Sequence, residues 1–444
     1  MQIIIFDIII LKLYTLMDNT KKKSYALPIA MMFSLFFIIA FVTGLQNPMG
    51  VIVKNQFGAS NLLSQLGNLA NFIAYAFMGI PAGLILQKIG YKKTALTAIV
   101  VGFIGVTITY FSGQLESFSV YIIGAFISGL SMCMLNTVVN PLLNGLGANE
   151  KKGNQLIQFG GSINSIGATI VPVFVGYLMG SDEASRTIAK ANPALYLAMI
   201  IFAITFIVLY FVDIPQPFIS KEEKSTKDSH SAFSFRHFVL GIIAIFIYVG
   251  VEVGIPNITN LFMTSDISSG GLGMDPVVAG TVVGTYWFLM LCGRLLGGTI
   301  GGIVSSKTML VTTTTIGLIL VFMAITMPLD IMVNMPVFRS DISFGWALVP
   351  INVMFLILCG LCTSVMWGSI FNLATSGLGK YTAVASGIFM MMVCGGGILP
   401  AIQGWLADIS GFINSYWIIF AGIAYMLFYA LIGSKNVNKD IVVE

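Results

Sequence analysis

Charge is what this chain has least of. Of its 444 residues only 9% are charged, against 57% hydrophobic, and the mean hydropathy is +0.93. Soluble domains carry about 25% charged residues. A water-soluble fold is therefore excluded, and the chain is read as an integral membrane protein. Histidine is nearly missing too: His230 and His237 lie in or beside a polar stretch, away from the apolar segments. Those segments also lack paired carboxylates. An enzyme needs a nucleophile–base or metal constellation, so no enzymatic activity, metal site or cofactor is expected, and no nucleic-acid partner. The five cysteines (Cys133, Cys292, Cys359, Cys362 and Cys394) all fall in apolar segments. Cys359 and Cys362 can share a helix face, but a metal or redox pair needs more partners, so packing is the reading taken. A secretory signal is lacking as well. Residues 1–16, "MQIIIFDIIILKLYTL", have no basic n-region and no small-residue cleavage site. That run is too short to span and is broken by Asp7 and Lys12. Either it forms an interfacial helix or translation starts at Met17, where "MDNTKKKS" has the look of a cytoplasmic lead-in. The second is preferred.

What the chain has in abundance is long apolar runs. Twelve spans are expected, at 26–56, 60–87, 94–112, 117–147, 154–180, 193–212, 237–263, 276–303, 308–329, 345–379, 382–408 and 412–434. Each must be helical, because hydrocarbon offers no partner to free backbone groups. The positive charges sort by side. One set of loops holds Lys21, Lys22, Lys23, Lys88, Lys92, Lys93, Lys151, Lys152, Lys221, Lys224, Lys227, Arg236, Lys307, Lys380, Lys435 and Lys439; the other holds only Lys54, Arg186, Lys190 and Arg339. The positive-inside rule then puts both termini in the cytoplasm, and an even number of spans fits.

A polar, charge-rich stretch at 213–236 divides six spans from six. The expected organisation is an N-terminal segment (1–25), a six-helix bundle (26–212), a cytoplasmic linker (213–236), a second bundle (237–434) and a tail (435–444). The halves echo each other. "NPLLNGLG" followed by "INSIGATIVPVFVGYL" answers "NLATSGLG" followed by "MVCGGGILPAIQGWL". Asn140 meets Asn372, Gly147 meets Gly379, Pro172 meets Pro400 and Gly176 meets Gly404. Parallel repeats with a site between them are the architecture of a rocking transporter. Glycine, at 47 residues, supplies close packing, with Gly79–Gly83, Gly297–Gly301 and Gly298–Gly302 at small-xxx-small spacing.

The loop "GLILQKIGYKK" (83–93) resembles the G-x-x-x-D-R-x-G-R-R loop of the major facilitator superfamily, with Gln87 where Asp is usual. From about residue 26 the chain resembles the fucose permease and glucose/galactose transporter branch. The resemblance rests on "IPAG" (80–83), "NP" before "GLG" (140–147), "NSIGA" (164–168), "YVGVEV" (248–253), "CGRLLG" (292–297) and "GGGILP" (395–400). It implies an all-α membrane protein of twelve helices in two pseudo-symmetric six-helix bundles. The implied activity is inward sugar transport driven by a cation gradient in a bacterial-type inner membrane. A monomer in the lipid bilayer, carrying a small sugar with a co-transported proton or sodium ion, is expected. The sequence also departs from that branch. Asn47 stands where members carry an Asp, Asn136 where they carry a Glu, and Gly161 where they carry a Gln. The acids bear proton coupling in relatives that have them, so proton coupling and fucose itself are both in question.

Asn136, Asn140 and Asn144 recur every four residues, a step about 40° beyond a full turn, and so form one slanting stripe. A carboxamide in the bilayer is costly without partners. Helix–helix bonding is the plainer account of Asn140, with its repeat mate Asn372, and of Asn144. Asn136 has no such echo, because its repeat position is Trp367 or Gly368. An amide can donate to and accept from vicinal hydroxyls, and an indole can cover the apolar face of a pyranose. Asn136 and Trp367 are therefore the leading substrate residues, with Gln46, Asn47, Gln65, Asn68, Asn71, Gln158 and Asn164 as further candidates. Amides rather than acids point to a neutral polyhydroxylated ligand.

Pro48 and Pro256 hold nearly equivalent places in the two halves, and each frees a carbonyl four residues back, at Gly44 and Glu252. Kinked helices that let gates move are one reading, ligand or ion contact the other. Glu252 is the one carboxylate placed deep in a span, where it must be protonated, ion-paired or matched to a cation. It is the candidate coupling residue. Arg294 is placed toward the cytoplasmic end of its span, as a gate residue pairing with carbonyls. A sugar uniporter, or an exporter of another small polar metabolite or drug, is the alternative. An exporter, however, calls for an acid in the first or fourth span.

Deleting residues 1–16 is expected to leave membrane insertion and transport unchanged, since that segment neither spans nor completes the repeat. Loss of insertion in the truncated protein would place the true start upstream of Met17.

Overall fold

The computed structural model describes residues 25–57, 66–179, 191–216, 230–339, 343–438, 440, 441 and 443. The N-terminal segment 1–24, Gln65 and most of the linker (217–229) lie outside them. Within α1 and the start of α2, the side chains of Gln46, Asn47, Pro48 and Asn68 lie outside them as well.

The first half consists of α1 (Ala26–Phe57), α2 (Leu66–Gln114), α3 (Phe118–Leu146), α4 (Glu150–Met179) and α5 (Asn192–Phe211). The second consists of α6 (Arg236–Thr264), α7 (Pro276–Ile300), α8 (Ser306–Thr326), a hairpin of β1 (Met332–Phe338) and β2 (Phe344–Pro350), α9 (Ile351–Thr363), α10 (Met366–Thr375), α11 (Thr382–Met391), α12 (Gly395–Ser410) and α13 (Phe412–Phe428). Helix α2 makes two crossings. Gly90 takes φ 83°, a left-handed value that glycine adopts without a Cβ clash, and the chain turns back there. The return is visible in the packing: Gly129 of α3 lies against Asn71 and Ala74, while Ser128 beside it lies against Gly105. With α9 and α10 forming one crossing and α11 and α12 another, the twelve expected spans are present, six to a half.

The outer faces identify the solvent. On α5 the residues at 53–78% exposure, Ile200, Ile204, Ile207 and Phe211, recur every three or four positions. Such an apolar stripe turned outward requires lipid. Inside, tyrosines are fully buried, among them Tyr121, Tyr248, Tyr286 and Tyr416. Among the described residues, ten segments, one of them the double crossing of α2, are long and apolar enough to cross a membrane by that measure alone.

Two features were not expected. Residues 345–350 do not begin a span: they form β2, paired antiparallel with β1 from Met332↔Pro350 to Phe338↔Phe344. Burial alternates along both strands; in β1 hydropathy follows it, with Met332, Asn334 and Pro336 exposed, but in β2 the exposed Phe344, Trp346 and Leu348 are as apolar as the buried residues, so that strand reads as the start of a span. The tail, moreover, packs back on the bundle. Asn438 Oδ1 accepts from the Arg236 amide at the start of α6 (3.1 Å), and the Val443 carbonyl accepts from the Lys380 amide (3.0 Å). Nearby, His237 Nε2 donates to the Ser376 carbonyl at 2.9 Å, a structural use of that ring.

The halves meet through glycine and amide contacts at the end carrying the basic loops. Gly79 and Gly83 of α2 cross α11 so closely that a Cβ on Gly79 would meet the Met391 backbone at 2.6 Å. One on Gly83 would lie 3.1 Å from the Gly387 Cα. On the other side of the seam Gly298 and Gly301 of α7 admit Phe159 and Gln155 of α4. Gly79→Leu is expected to destabilise this arrangement by about 1–3 kcal/mol, the usual cost of overpacking. The readouts are the thermal unfolding midpoint in detergent and the initial transport rate. Gly280→Leu, where the added side chain meets open space, is expected to change neither.

Candidate substrate cavity

A cavity of about 420 Å³ lies between the halves, within the range used for small ligands. Its walls follow from helix periodicity. On α6, Val249, Glu252, Val253 and Asn257 form one face; on α7, Trp287, Met290 and Arg294 do the same at steps of three and four. Helix α4 turns Gln158, Gly161, Asn164, Ser165 and Thr169 inward, α2 contributes Asn71, Phe72 and Tyr75, and α3 contributes Asn136. Ser364, between α9 and α10, and Trp367 and Gly368 of α10 complete the wall, with Phe36, Ile39, Thr43 and Gly44 of α1 opposite. Of the substrate candidates, Asn71, Asn136, Gln158, Asn164 and Trp367 line the cavity.

The amides are not equivalent. Asn136 Nδ2 donates to the Tyr75 hydroxyl (2.8 Å) and to the Met132 carbonyl (3.1 Å), which fixes the side chain and leaves Oδ1 with one long contact of 3.4 Å from Asn140. Gln158 Nε2 donates across the seam to the Val365 carbonyl at 3.0 Å. Asn71 Oδ1 and Asn164 Oδ1 accept nothing from the protein. Both atoms are buried, Asn71 Oδ1 against Gly129 of α3, so they do not face the open space even though their side chains line it, and an unused acceptor there is costly.

Below the cavity the asparagine stripe becomes a seam. Asn140, fully buried, accepts from the Trp367 indole N–H at 3.2 Å, so Asn136 and Trp367 share the cavity without bonding each other. Asn372 does not pair with its repeat mate Asn140. It donates to Asn144 Oδ1 at 2.7 Å and to the Glu150 carbonyl at 3.3 Å, and accepts from Ser306 at 3.1 Å. The slant of the stripe is the reason: each four-residue step changes which residue of the facing helix comes within reach.

Glu252 and Arg294 form an ion pair at 2.9 Å, with side chains only 13% and 11% exposed. The guanidinium is used almost completely. Nε donates to the Ser364 carbonyl (3.3 Å), Nη1 to the Gly161 carbonyl (3.3 Å) and the Ser165 hydroxyl (2.6 Å), and Nη2 to Glu252. Arg294, placed by sequence toward the end of its span, is thus part of the cavity wall and joins the two halves. The Arg294 side chain passes beside Gly161, where a Cβ would stand 3.6 Å from Arg294 Cδ, an ordinary contact distance. The carbonyl of Glu252, freed by Pro256, accepts from the Tyr286 hydroxyl at 3.2 Å, which also bonds Thr363 at 3.0 Å. Among the described residues no group of three or more His, Cys, Asp or Glu could hold a metal ion.

Asn257, Trp287 and Tyr75 were not among the sequence candidates. Trp287 and Arg294 had a usable signal, since an arginine in an otherwise uncharged span, seven residues from a tryptophan on the same face, marks an inward face.

Two six-helix bundles enclosing a polar cavity at their interface define a membrane transporter of the rocking type. The family follows from the chain itself: it belongs to the Major Facilitator Superfamily, whose model matches residues 32–401. It is similar to a glucose/galactose transporter of Brucella abortus, 28% identical over 423 residues covering 94% of this chain and 97% of the relative. It is also similar to the L-fucose-proton symporter of Escherichia coli, 24% identical over 426 residues, 89% of this chain and 90% of that protein. Among solved structures, the transporter FucP in the outward conformation superposes with a TM-score of 0.78 at 19% identity, covering 93% of this chain and 100% of that one.

Removing one partner of a buried ion pair leaves a charge unmatched and costs about 3–5 kcal/mol. Arg294→Gln alone is therefore expected to lower the thermal unfolding midpoint more than the double variant Glu252→Gln/Arg294→Gln does. Additive losses would mean that the two groups act independently.

Proposed function

We propose that this chain imports a neutral hexose or deoxyhexose by cation-coupled symport, with alternating access to a cavity shared by the two halves. The observation that carries the reading is the wall itself. The amide side chains of Asn71 and Asn164, an oriented amide on Asn136 and the indoles of Trp287 and Trp367 line one space. Hydroxyls satisfy the amides, and the apolar face of a pyranose satisfies an indole. The names of the relatives, glucose/galactose transporter and L-fucose-proton symporter, agree with this chemistry. The charge balance of the loops supports both termini in the cytoplasm, and the bacterial relatives support an inner membrane.

Coupling is assigned to Glu252. A proton on its carboxylate removes the charge that Arg294 answers, and an unanswered guanidinium in this setting cannot stay where it is. Since the same guanidinium also holds Gly161 and Ser165 of the opposite half, neutralising Glu252 loosens the seam. Proton coupling is preferred to sodium because the Glu252 carbonyl, a possible second oxygen ligand, already accepts from Tyr286. Pro48 and Pro256 serve as bending points, and Asn140 and Asn372 each make a gate bond, to Trp367 and to Asn144.

The test is uptake of labelled fucose, glucose, galactose, mannose and N-acetyl sugars into vesicles, with proton and sodium gradients imposed separately. Accumulation of a neutral sugar under a proton gradient is expected. Glu252→Gln should abolish accumulation while sugar exchange survives. Asn136→Ala and Trp367→Ala should each weaken binding by about 1–3 kcal/mol, and Asn144→Ala much less. A parent protein that never concentrates sugar under either gradient is a uniporter, and a Glu252→Gln variant that still concentrates it removes Glu252 from coupling.

A further inference from the structure

The β1–β2 ribbon has two apolar faces, and only one of them is covered. Its inner face packs through Met335, Val337, Ala347 and Val349, all buried. At its tip Phe338 stacks on Phe288 of α7 (centroids 4.4 Å apart, 11° between planes) and its amide donates to Thr285 at 2.9 Å. The outer face presents Met332 at 47% exposure, Phe344 at 57%, Trp346 at 70% and Leu348 at 54%, with Pro336 opposite Trp346 and Asn334, the one polar side chain on this face, opposite Leu348. A ribbon facing water on one side alternates apolar-in with polar-out. Here Asn334 alone follows that rule, and an exposed cluster of large apolar groups marks an interaction surface.

We propose that this outer face lies on the bilayer, at the boundary between headgroups and acyl chains, at the end of the molecule opposite the basic loops. Three observations fix the occupant as lipid. The ribbon runs into the spans without a linker: the Ile351 amide that opens α9 donates to the Ile331 carbonyl. The apolar surface is continuous with the lipid belt, since Ile316, Ile319 and Phe322 of α8 are 46%, 55% and 47% exposed, and Leu329 and Ile331 at 44% and 41% lead to the strands. Finally, a two-stranded ribbon has unpaired backbone groups on both edges, which hydrocarbon cannot satisfy but the hydrated interface can. Tryptophan favours that same depth, where its ring is buried and its N–H reaches polar groups. Exposed Arg339, against Gly345 at the tip, adds a cation beside the headgroups.

The consequence reaches the cavity. Helix α7 carries Trp287, Met290 and Arg294 into it, and the ribbon grips α7 at Thr285 and Phe288. An anchored ribbon therefore holds α7 at a set depth while the other half moves against it.

Trp346 supplies the probe. The protein and its Trp346→Phe variant are reconstituted in phosphatidylcholine/phosphatidylglycerol vesicles containing lipids spin-labelled at the headgroup, high on the chain or deep on the chain. The fluorescence difference between the two proteins isolates Trp346. That difference is expected to fall at least twofold with the headgroup or high-chain label, and little with the deep label or with aqueous iodide. Strong iodide quenching without lipid quenching would put the face in water and overturn the proposal. Disulfide-linked dimers of Trp346→Cys, rising with protein-to-lipid ratio in place of lipid quenching, would assign the face to a second copy and overturn it equally.

Discussion

A guanidinium in the middle of a membrane protein has to find an acceptor for nearly every N–H it owns, and the arrangement around Arg294 is organised by that demand. Four acceptors meet it: the Glu252 carboxylate, the Ser364 and Gly161 carbonyls and the Ser165 hydroxyl. Two belong to its own half and two to the other. Leaving such a charge uncompensated costs several kcal/mol, so the relative placement of the halves at this level is tied to one side chain.

The remainder of the seam is neutral and works by the same accounting of donors and acceptors. Hydrophobic burial gives little reason for helices to associate in lipid, where tails are as apolar as leucine, and close backbone approach and hydrogen bonds take over. Gly79, Gly83 and Gly387 supply the approach, and Asn140, Asn144, Gln155, Gln158 and Asn372 supply the bonds. Each amide bond that joins the halves must be given up when the basic end opens, and must find water as it does. Individually modest bonds are suited to that exchange.

Much of this was legible in the sequence, for physical reasons that also mark where legibility stops. Long apolar runs are unambiguous because lipid tolerates only satisfied backbones, so the spans and the repeat could be read directly. Asn136, Asn71, Asn164 and Trp367 stood out because polar and aromatic groups are conspicuous against that background. Arg294 was assigned to the span and to carbonyl partners, and Trp287 seven residues before it could have marked the inward face, but its depth and its partners in the opposite half depend on helix tilt, which spacing does not encode. The non-pairing of Asn140 with Asn372 has the same cause: internal repeats fix topology, whereas partners across the seam depend on how two stripes slide past each other. The hairpin was missed because β2 exposes Phe344, Trp346 and Leu348, so that strand merges with the apolar run that follows it and its partner β1 has nothing visible to pair with.

Trp367 occupies two environments at once. Its ring forms part of the cavity wall, while its N–H is bonded to Asn140 of the opposite half. The chromophore thus sits at the junction between the solute and the seam, and its emission colour depends on both. If the proposed solute stacks there, it alters the polarity over the ring face, while parting of the halves replaces a carboxamide acceptor with water at the ring edge. On that reading the molecule carries a built-in optical indicator of its own cycle, in which occupancy and opening act on two different sides of the same indole.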